Sequence, residues 1–487
     1  MTSSNPGLSV AVVGGGIGGI AAATMLKRAG YHDVTVFERN AGLGGVWHAN
    51  TYPGAACDVP SHFYEFSFAL NPDWSRRYAP QPEIKAYLER VVRDEGVEQM
   101  FRFNSEVRSA TWDDSGHWVL DTGTGEHVAD VLITACGQLS TPKYPDIDGL
   151  DRFEGPAFHT AKWRHDVDLA GKRVAVIGTG CSAAQVVPAI QPQVATVDVY
   201  QRSPGWTMPR MDYEYSDRSK RLFRRFPLLQ RLDRKSVQAI MEFGAIGMTR
   251  RKWMLAPLKA LGRKRIRDAI ADPALQDALT PKDEFGCKRV MVSDNWYPAL
   301  AKPNVSVITG GVERITPHGV VGGDGVERAA DVLVLATGFK SHDFVAPMEI
   351  RGVGGRTLAD EWAETPKAYL GLSVPAFPNM FLLYGPNTNG GTGSVVFIVE
   401  AGMTHVLAAL AELERTGTRK IEVRREVADD FHREVKEALP HTVWTGCGNW
   451  YLDESGHSPN QWPWRWATYT RRTRELEPGA YLVGDNC

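Results

Sequence analysis

Two glycine-rich turns, each following an apolar run, constrain this chain more than any other feature. The first is Gly14-Gly15-Gly16-Ile17-Gly18-Gly19, and the second is Gly178-Thr179-Gly180-Cys181-Ser182-Ala183. Each lies between a β-branched segment and an alanine-rich helical pattern, which is the context that a dinucleotide-binding turn requires. There the glycines let backbone N–H groups approach a pyrophosphate at the N-terminus of a helix. The sequence therefore predicts an α/β chain with two Rossmann-like units.

The residue that closes the next strand carries opposite charge in the two units. Glu38 and Arg202 both lie 24 residues beyond the first glycine of their turn. A carboxylate at this position accepts hydrogen bonds from free ribose hydroxyls, whereas a guanidinium pairs with a 2′-phosphate. We therefore expect the first unit to bind FAD and the second to bind NADPH.

Length and composition suit a soluble protein of two or three domains. The 487 residues are 43% hydrophobic and 23% charged, and the net charge of −2 gives no reason to expect nucleic acid as a partner. No transmembrane span and no signal peptide are expected, because Glu400 and His405 interrupt the most apolar stretch and the N-terminus is polar. The six cysteines show no C-x-x-C or zinc-type spacing. We expect no metal site, no redox-active disulfide and a cytoplasmic location.

Two strand-to-glycine crossings indicate that the second unit is inserted into the first. An expected strand at 128–134 ends in Ala135-Cys136-Gly137, and a second at 332–336 ends in Ala336-Thr337-Gly338. The prediction is an FAD-binding domain in two parts around an NADP-binding domain. Its boundaries are 1–142 and 341–487 for the FAD domain, 143–152 and 336–340 for the linkers, and 153–335 for the NADP domain.

A basic segment at 218–267 contains apolar residues at helical spacing, with Asp233 and Glu242 as its only acidic residues. It predicts a helical insertion at about 215–280. One interpretation is an amphipathic surface that contacts a membrane or an anionic partner. The other is a solvated insertion over a substrate entrance. Helix-breaking residues favour the second interpretation: Pro227, Gly244, Gly247 and Pro257.

Three further motifs resemble those of type I Baeyer–Villiger monooxygenases, a family related to the flavin-containing monooxygenases. They are Phe153-x-Gly155-x-x-x-His159-x-x-x-Trp163, Gly45-x-Trp47-x-x-x-x-Tyr52-Pro53-Gly54-x-x-x-Asp58 and Cys287-Lys288-Arg289. The related family usually has Phe or Tyr at the position of Trp163. The chain departs from the pattern at Arg164, where the family has Pro or Asp, and at Thr392, where the family often has His. We interpret His159 and Trp163 as linker residues that couple domain rotation to the site.

The resemblance implies an FAD- and NADPH-dependent enzyme that inserts one oxygen atom from O2 next to a ketone carbonyl through a C4a-peroxyflavin. It implies that Arg289 is catalytic as a permanent positive charge, and that Asp58 is catalytic by orienting and tuning it. Lys288 would hold the NADP phosphate with Arg202. The residues expected to contact the cofactors are Gly14, Gly16, Gly19, Glu38, Arg39, Gly45, Trp47, Asp58, Tyr64, Gly178, Gly180, Ser182, Ala183, Arg202, Lys288, Trp450 and Asn387.

Two other functions stay open at this point. One is a heteroatom oxygenase that oxidises a sulfide or an amine through the same intermediate; the other is a flavoprotein reductase that passes electrons to a partner. Trp163 and the Asp58/Arg289 pair favour ketone oxygenation. The expected substrates are a small apolar ketone, or a sulfide, together with O2, and the expected state is a monomer or a homodimer. Pocket walls are expected from 52–68, the helical insertion and 444–451.

Overall fold

Short β-branched runs and longer runs of alanine, leucine and charged residues alternate along the chain, and they form its strands and helices. The computed structural model describes residues 7–484. The strands are β1 (Val10–Val13), β2 (Val34–Phe37), β3 (Phe101–Arg102), β4 (Ser109–Trp112), β5 (Trp118–Asp121), β6 (Glu126–Ala129), β7 (Val131–Thr134), β8 (Ala157–His159), β9 (Arg173–Ile177), β10 (Thr196–Gln201), β11 (Thr207–Met208), β12 (Met291–Val292), β13 (Val305–Thr309), β14 (Val312–Thr316), β15 (Gly319–Gly322), β16 (Glu327–Ala329), β17 (Val332–Leu335), β18 (Glu349–Arg351), β19 (Met380–Leu382), β20 (Ile421–Val423) and β21 (Tyr481–Val483). The helices are α1 (Ile17–Ala29), α2 (Val46–Ala49), α3 (Gln81–Asp94), α4 (Ala183–Ile190), α5 (Asp217–Arg225), α6 (Pro227–Thr249), α7 (Ala256–Ala269), α8 (Pro273–Leu279), α9 (Trp296–Leu300), α10 (Leu358–Glu361), α11 (Val395–Thr416), α12 (Arg425–Ala438) and α13 (Trp466–Thr473).

Two five-stranded parallel sheets organise the molecule. The first has the order β19-β7-β1-β2-β3 and the second the order β13-β10-β9-β17-β8. In each, the strand before the glycine turn (β1 or β9) is central, with β2 and β7 or β10 and β17 on its two sides. Continuously apolar strands such as β7 and β17 are buried along their whole length, as expected when helices cover both faces of a parallel sheet.

The order of the strands along the chain confirms the predicted fold class. The first sheet takes four strands from the start of the chain and β19 from its last third, whereas every strand of the second sheet lies between these groups. An antiparallel meander of β4, β5 and β6, with β18 alongside, packs beside the first sheet. The second unit is therefore inserted between two parts of the first.

The strand expected at 128–134 is instead two strands that belong to different sheets. β6 ends at Ala129 and β7 begins at Val131, with Asp130 between them. The Asp130 backbone N–H donates to the carbonyl oxygen of Ser9, and its carboxylate accepts from the N–H and hydroxyl of Ser9. These bonds tie the junction to the start of β1. The sequence hides the break because Asp130 alone separates Val128-Ala129, at the end of β6, from the apolar residues of β7.

Helix α11 is the one helix in the described chain that is long and apolar enough to cross a membrane. It packs against α1 and α13, and 56% of its most apolar window is buried inside the molecule. Its inward side includes Met403 and Val406, both fully buried. We therefore interpret α11 as a core helix of the first domain.

The helical insertion, α5 to α8, lies between β11 and β12 and is anchored by polar side chains. The Glu65 carboxylate is fully buried and accepts hydrogen bonds from Trp74 Nε1 and Gln230 Nε2, both at 2.8 Å. Burial raises the pKa of Glu65 to about 8. Asp233, also on α6, pairs with His62 Nδ1 at 2.7 Å. Polar contacts thus help to hold the inward face of α6 to the first domain, beside the buried Val237.

Candidate active site

The two glycine turns have matching backbone geometry. Gly14 has a φ of 112°, and a Cβ there would lie 2.6 Å from the carbonyl oxygen of Ala135. Gly178 has a φ of 110°, and a Cβ would lie 2.4 Å from the carbonyl oxygen of Ala336. Each turn therefore passes against the first residue of one strand-to-glycine crossing, at a distance that only glycine permits. This close approach leaves the N-terminus of the following helix open to a phosphate.

A single large cleft connects the two turns. Its volume is about 2400 Å³, well above the ~300–1,000 Å³ of an ordinary small-ligand pocket. Such a volume suits two dinucleotides. Fifteen of the predicted site residues line it: Gly14, Gly16, Glu38, Arg39, Gly45, Trp47, Asp58, Tyr64, Gly178, Gly180, Ser182, Arg202, Lys288, Arg289 and Trp450.

Glu38 and Arg202, the two residues of opposite charge at the strand ends, differ in burial and in their polar partners. The Glu38 carboxylate is buried and accepts hydrogen bonds from the backbone N–H groups of Gly15 and Asn40, each at 2.7 Å. It therefore holds the first turn as well as facing the cleft. Arg202 is exposed and makes no ion pair with any residue of the described chain. An unneutralised guanidinium on the wall of the second half of the cleft is available for an anionic group.

Lys288 adds a second cation near Arg202. Its ammonium donates to the Ser203 hydroxyl at 2.9 Å and pairs with Asp283 at 2.6 Å. Ser203 directly follows Arg202, so both cations lie on the same part of the cleft wall. Asp283 neutralises part of the Lys288 charge, which makes Arg202 the stronger candidate for phosphate recognition.

The central feature of the cleft is an ion pair between its two halves. Arg289 Nη2 donates to Asp58 Oδ2 at 2.7 Å, and the two side chains are 34% and 20% exposed. Asp58 raises the pKa of Arg289 well above its ordinary value, so the guanidinium carries a permanent charge. Burial raises the pKa of the neighbouring Tyr384 to about 12, which keeps that phenol protonated. The centre of the cleft thus places the permanent cation of Arg289 near the protonated phenol of Tyr384.

The loop that carries Asp58 is fixed by Gln185 of α4, which the sequence did not single out. Gln185 Oε1 accepts from the Tyr52 hydroxyl at 2.9 Å, and Gln185 Nε2 donates to the carbonyl oxygen of Ala56 at 2.9 Å. Arg210 donates to the carbonyl oxygen of Cys57 at 3.0 Å. Both contacts join the second unit to the first. A single glutamine or arginine in a helix or loop gives no sequence signal for such a role.

A disulfide joins Cys287 to Cys447, with Cα atoms 6.2 Å apart. Sequence spacing did not indicate this bond, because 160 residues separate the two cysteines. The bond lies two residues before Arg289 and three before Trp450. It therefore ties the segment with the central cation to the segment with the exposed tryptophan. Cys487 lies outside the described residues.

Several predicted residues lie near the cleft without lining it. Asn387 is buried, and its side-chain amide donates to the carbonyl oxygens of Ser458 and Gln461, at 2.9 and 3.2 Å. Its neighbour Thr388 lines the cleft instead. The expected pocket wall from the helical insertion is wrong, because no residue between 206 and 287 lines this cleft. The other predicted residues off the cleft wall are Gly19, Ala183, Phe153, Gly155, His159 and Trp163.

The Phe153–Trp163 motif lies beside the two chain crossings. His159 is fully buried, and its Nε2 lies 2.9 Å from the carbonyl oxygen of Gly338. The crossings themselves pair as an antiparallel bridge between Pro142 and Phe339. His159 therefore contacts the junction between the two units.

The two departures from the family pattern have simple local settings. Arg164 is exposed and forms an ion pair with Asp166, so it belongs to the surface. The Thr392 hydroxyl donates to the carbonyl oxygen of Met241 at 3.2 Å, and the Thr392 carbonyl oxygen accepts from Trp466 Nε1 at 2.8 Å. Thr392 also lines the cleft. This threonine joins the cleft wall to α6.

Two connected dinucleotide units with a fixed arginine between them define a flavin-dependent, nicotinamide-using oxidoreductase. A profile of the pyridine nucleotide-disulphide oxidoreductase family matches residues 11–242. The chain is 42% identical to a Baeyer–Villiger monooxygenase of Pseudomonas aeruginosa, covering 97% of this chain and 90% of that protein. It is also 42% identical to one of Streptomyces coelicolor, covering 97% and 92%. The chain belongs to the Baeyer–Villiger monooxygenase family.

Solved structures support the same relationship over the whole fold. An oxidised steroid monooxygenase bound to NADP superposes with a TM-score of 0.88 at 32% identity, covering 98% of this chain and 99% of that one. A cyclohexanone monooxygenase from Rhodococcus sp. Phi1 bound to NADP+ gives a TM-score of 0.86 at 28% identity, covering 98% and 99%. A complex of OTEMO with FAD and NADP gives 0.87 at 26% identity, covering 99% and 100%.

Proposed function

We propose that this protein uses FAD and NADPH to insert one oxygen atom from O2 next to the carbonyl of an apolar ketone, giving an ester or a lactone. The observation that carries the proposal is the Arg289–Asp58 ion pair in the cleft that both glycine turns share. A reductase that only passes electrons onward has no need for a permanent cation between its two dinucleotides. A carbonyl oxygen that gains negative charge does need one.

The residues present fit both cofactors. The Gly14–Gly19 turn would hold the FAD pyrophosphate, with Glu38 facing the adenosine ribose and Trp47 and Tyr64 on the same cleft wall. Trp47 Nε1 donates to the Tyr64 hydroxyl at 3.2 Å, which fixes these two rings relative to each other. When bound and reduced, FAD supplies the chemistry that activates O2.

The second half of the cleft fits NADPH better than NADH. The Gly178 turn would take the pyrophosphate, and Arg202 and Lys288 offer two cations to the 2′-phosphate. Trp450 is 38% exposed on the cleft wall, where it would pack against the nicotinamide end. The absence of any ion pair for Arg202 in residues 7–484 supports this role, because burying its charge against phosphate costs no existing partner.

Arg289 would act by orienting the ketone and stabilising the charge that develops on its oxygen. One Nη2–H donates to Asp58, which would hold the plane of the guanidinium in a fixed orientation on the cleft wall. Because the charge is permanent, it stabilises the reacting oxygen without any proton transfer from the arginine. Asp58 would be a positioning residue that acts through Arg289.

We further propose the division into an FAD domain at 1–142 and 341–487 and an NADP domain at 153–335. The bridge between Pro142 and Phe339 supports these boundaries. A cytoplasmic location and a monomeric or homodimeric state complete the proposal. The cleft lining, which includes Tyr52, Tyr384 and Trp450, suits an apolar substrate.

The experiment is product analysis under isotopically labelled O2. Purified FAD-loaded protein is mixed with NADPH and a panel of cyclic, aromatic and linear ketones, and the products are identified by gas chromatography and mass spectrometry. We expect an ester or lactone that carries one labelled oxygen atom. Hydrogen peroxide as the only oxygen product with every ketone, together with rapid cytochrome reduction, would support a reductase. Oxidation of thioethers but of no ketone would support the heteroatom oxygenase.

A further inference from the structure

Exposed apolar side chains are concentrated on the helical insertion. In the described chain, nine of the eighteen large hydrophobic side chains that are exposed lie between residues 222 and 261. Phe243 and Trp253 are 64% and 71% exposed. None of the nine lines the active-site cleft. The full set is Leu222, Phe226, Leu228, Leu229, Leu232, Ile240, Phe243, Trp253 and Leu261.

Helix α6 exposes a row of large apolar side chains on its outward face. Leu228, Leu232 and Phe243 recur at spacings of four and eleven residues, which places them on one face of the helix, and all three are exposed. The opposite face carries Gln230 and Arg234, which are buried and bind the Glu65 side chain and backbone. A solvated helix normally turns its apolar face inward. Here buried polar contacts, together with the buried Val237 and Met248, fix the helix while other apolar side chains face outward.

The same segment carries a dense positive charge. Residues 218–267 contain sixteen Lys and Arg against two acidic residues, a net charge of +14 in a chain whose total is −2. Neither acidic side chain is paired with a cation of this segment. Asp233 pairs with His62, and the Glu242 carboxylate accepts a hydrogen bond from the backbone N–H of Trp466 at 3.0 Å. Five of the sixteen cations form ion pairs, and eleven make none with any described residue. Among the unpaired cations, Arg231 and Lys235 lie on α6 and are exposed.

We propose that residues 218–267 form a docking surface for an anionic lipid bilayer. Protruding Leu, Phe and Trp side chains enter the interface between headgroups and acyl chains, and the surrounding Lys and Arg meet lipid phosphates. A second copy of this chain does not suit the surface, because two faces of this charge repel each other. A bilayer also accepts side chains that project from a helix, whereas a folded acidic partner must match their shape. The proposal does not rest on ketone oxygenation.

The test is co-sedimentation of the FAD-loaded full chain with vesicles. Vesicles of phosphatidylcholine with phosphatidylglycerol are compared with vesicles of phosphatidylcholine alone, at low and high salt. We expect binding only to the anionic vesicles and weaker binding at high salt. The paired substitutions Phe243→Ser with Trp253→Ser, and Arg231→Gln with Lys235→Gln, should each lower binding by about tenfold or more.

Matched variants control for general effects. Val326→Ser removes an apolar side chain that is 51% exposed on a different surface, and Lys172→Gln removes an exposed cation outside the segment. Both should bind vesicles like the unmodified protein. All variants should keep the flavin content and the rate of NADPH oxidation, because none of these residues lines the cleft. Sedimentation velocity of each variant measures self-association.

Three results overturn the proposal. The first is no binding to anionic vesicles, or equal binding to vesicles of both compositions. The second is equal loss of binding in the control variants. The third is a Phe243→Ser variant that binds vesicles normally but changes its oligomeric state or its binding to polyglutamate. A change in oligomeric state would assign the surface to a second copy, and a change in polyglutamate binding would assign it to an acidic protein.

Discussion

Replacing Arg289 by alanine and Asp58 by asparagine, singly and together, tests whether the two side chains act as one unit. Their hydrogen bond is 2.7 Å long, and the side chains are 34% and 20% exposed. Two unit charges about 4 Å apart interact by about 4 kcal/mol at an effective dielectric constant of about 20. Because solvent reaches both groups, we take about half of that value, about 2 kcal/mol, which corresponds to roughly thirtyfold in rate.

The expected result is a non-additive set of kinetic losses. Asp58→Asn should lower kcat/KM for ketone oxygenation by roughly thirtyfold, and Arg289→Ala by about a hundredfold to a thousandfold. The double variant should be no worse than Arg289→Ala alone, since Asp58 acts through Arg289. Product formation is measured by gas chromatography while NADPH consumption is followed in the same sample. Flavin content is measured for each variant, so that a loss of bound FAD is distinguished from a loss of catalysis.

The Arg173–Asp331 pair supplies the control. It has a similar length, 2.6 Å, lies on the surface of the second unit and does not line the cleft. Arg173→Ala should leave kcat/KM unchanged. Multiplicative losses in the Asp58/Arg289 double variant, or ketone oxygenation by Arg289→Ala near the original rate, would refute the reasoning.

Three further predictions concern other parts of the molecule. Arg202→Gln should raise the KM for NADPH at least about tenfold and leave the KM for NADH unchanged, because the cation facing the 2′-phosphate is lost; steady-state NAD(P)H oxidation measures both. Gly178→Ala should lower the Tm in differential scanning calorimetry, since its Cβ would lie 2.4 Å from the carbonyl oxygen of Ala336 at a φ of 110°. Because the pKa of Glu65 is raised to about 8, the folded chain keeps a proton that the unfolded chain loses near its ordinary pKa of 4.5. The free energy of unfolding should therefore fall by a few kcal/mol as pH rises between these values, and Glu65→Gln should remove that fall in urea unfolding.

A specific result would contradict each of these three predictions. Equal changes in KM for NADPH and NADH, or the same change in Lys172→Gln, would remove Arg202 from 2′-phosphate recognition. Gly180→Ala is the reference for Gly178→Ala, because a Cβ at Gly180 meets no atom within 4 Å. Equal Tm values for these two variants contradict the steric argument. Parallel pH profiles for Glu65→Gln and the unmodified protein would show that Glu65 does not titrate between pH 4.5 and 8.

Sequence patterns predicted those features that depend on short stretches of chain. The turns at Gly14 and Gly178, with Glu38 and Arg202 at equal offsets, are local patterns, because strand, turn and helix follow one another directly. The insertion of one unit into the other followed from two similar crossings. Both sheets confirmed this topology. Local patterning was insufficient at Asp130, because the residues on its two sides belong to strands of different sheets.

Local sequence patterns could not predict contacts between segments that are far apart in the chain. Asp58 and Arg289 are 231 residues apart, and their pairing was expected only through the resemblance to a family. The contact of Gln185 with Ala56 and the disulfide of Cys287 with Cys447 had no sequence signal at all. The outward apolar face of α6 also required the structure, because periodicity shows that two faces differ but not which one turns inward.

The pairing of the two chain crossings places the entry to the second unit beside its exit. The backbone N–H of Lys143 donates to the carbonyl oxygen of Gly338, and the backbone N–H of Lys340 donates to that of Thr141, both at 2.9 Å. The entry to the second unit and its exit therefore lie side by side. The segment between them could be replaced by a short turn while β7 and β19 kept their places in the first sheet. In such a shortened chain, the backbone hydrogen bonds between the two crossings would hold the cut ends together.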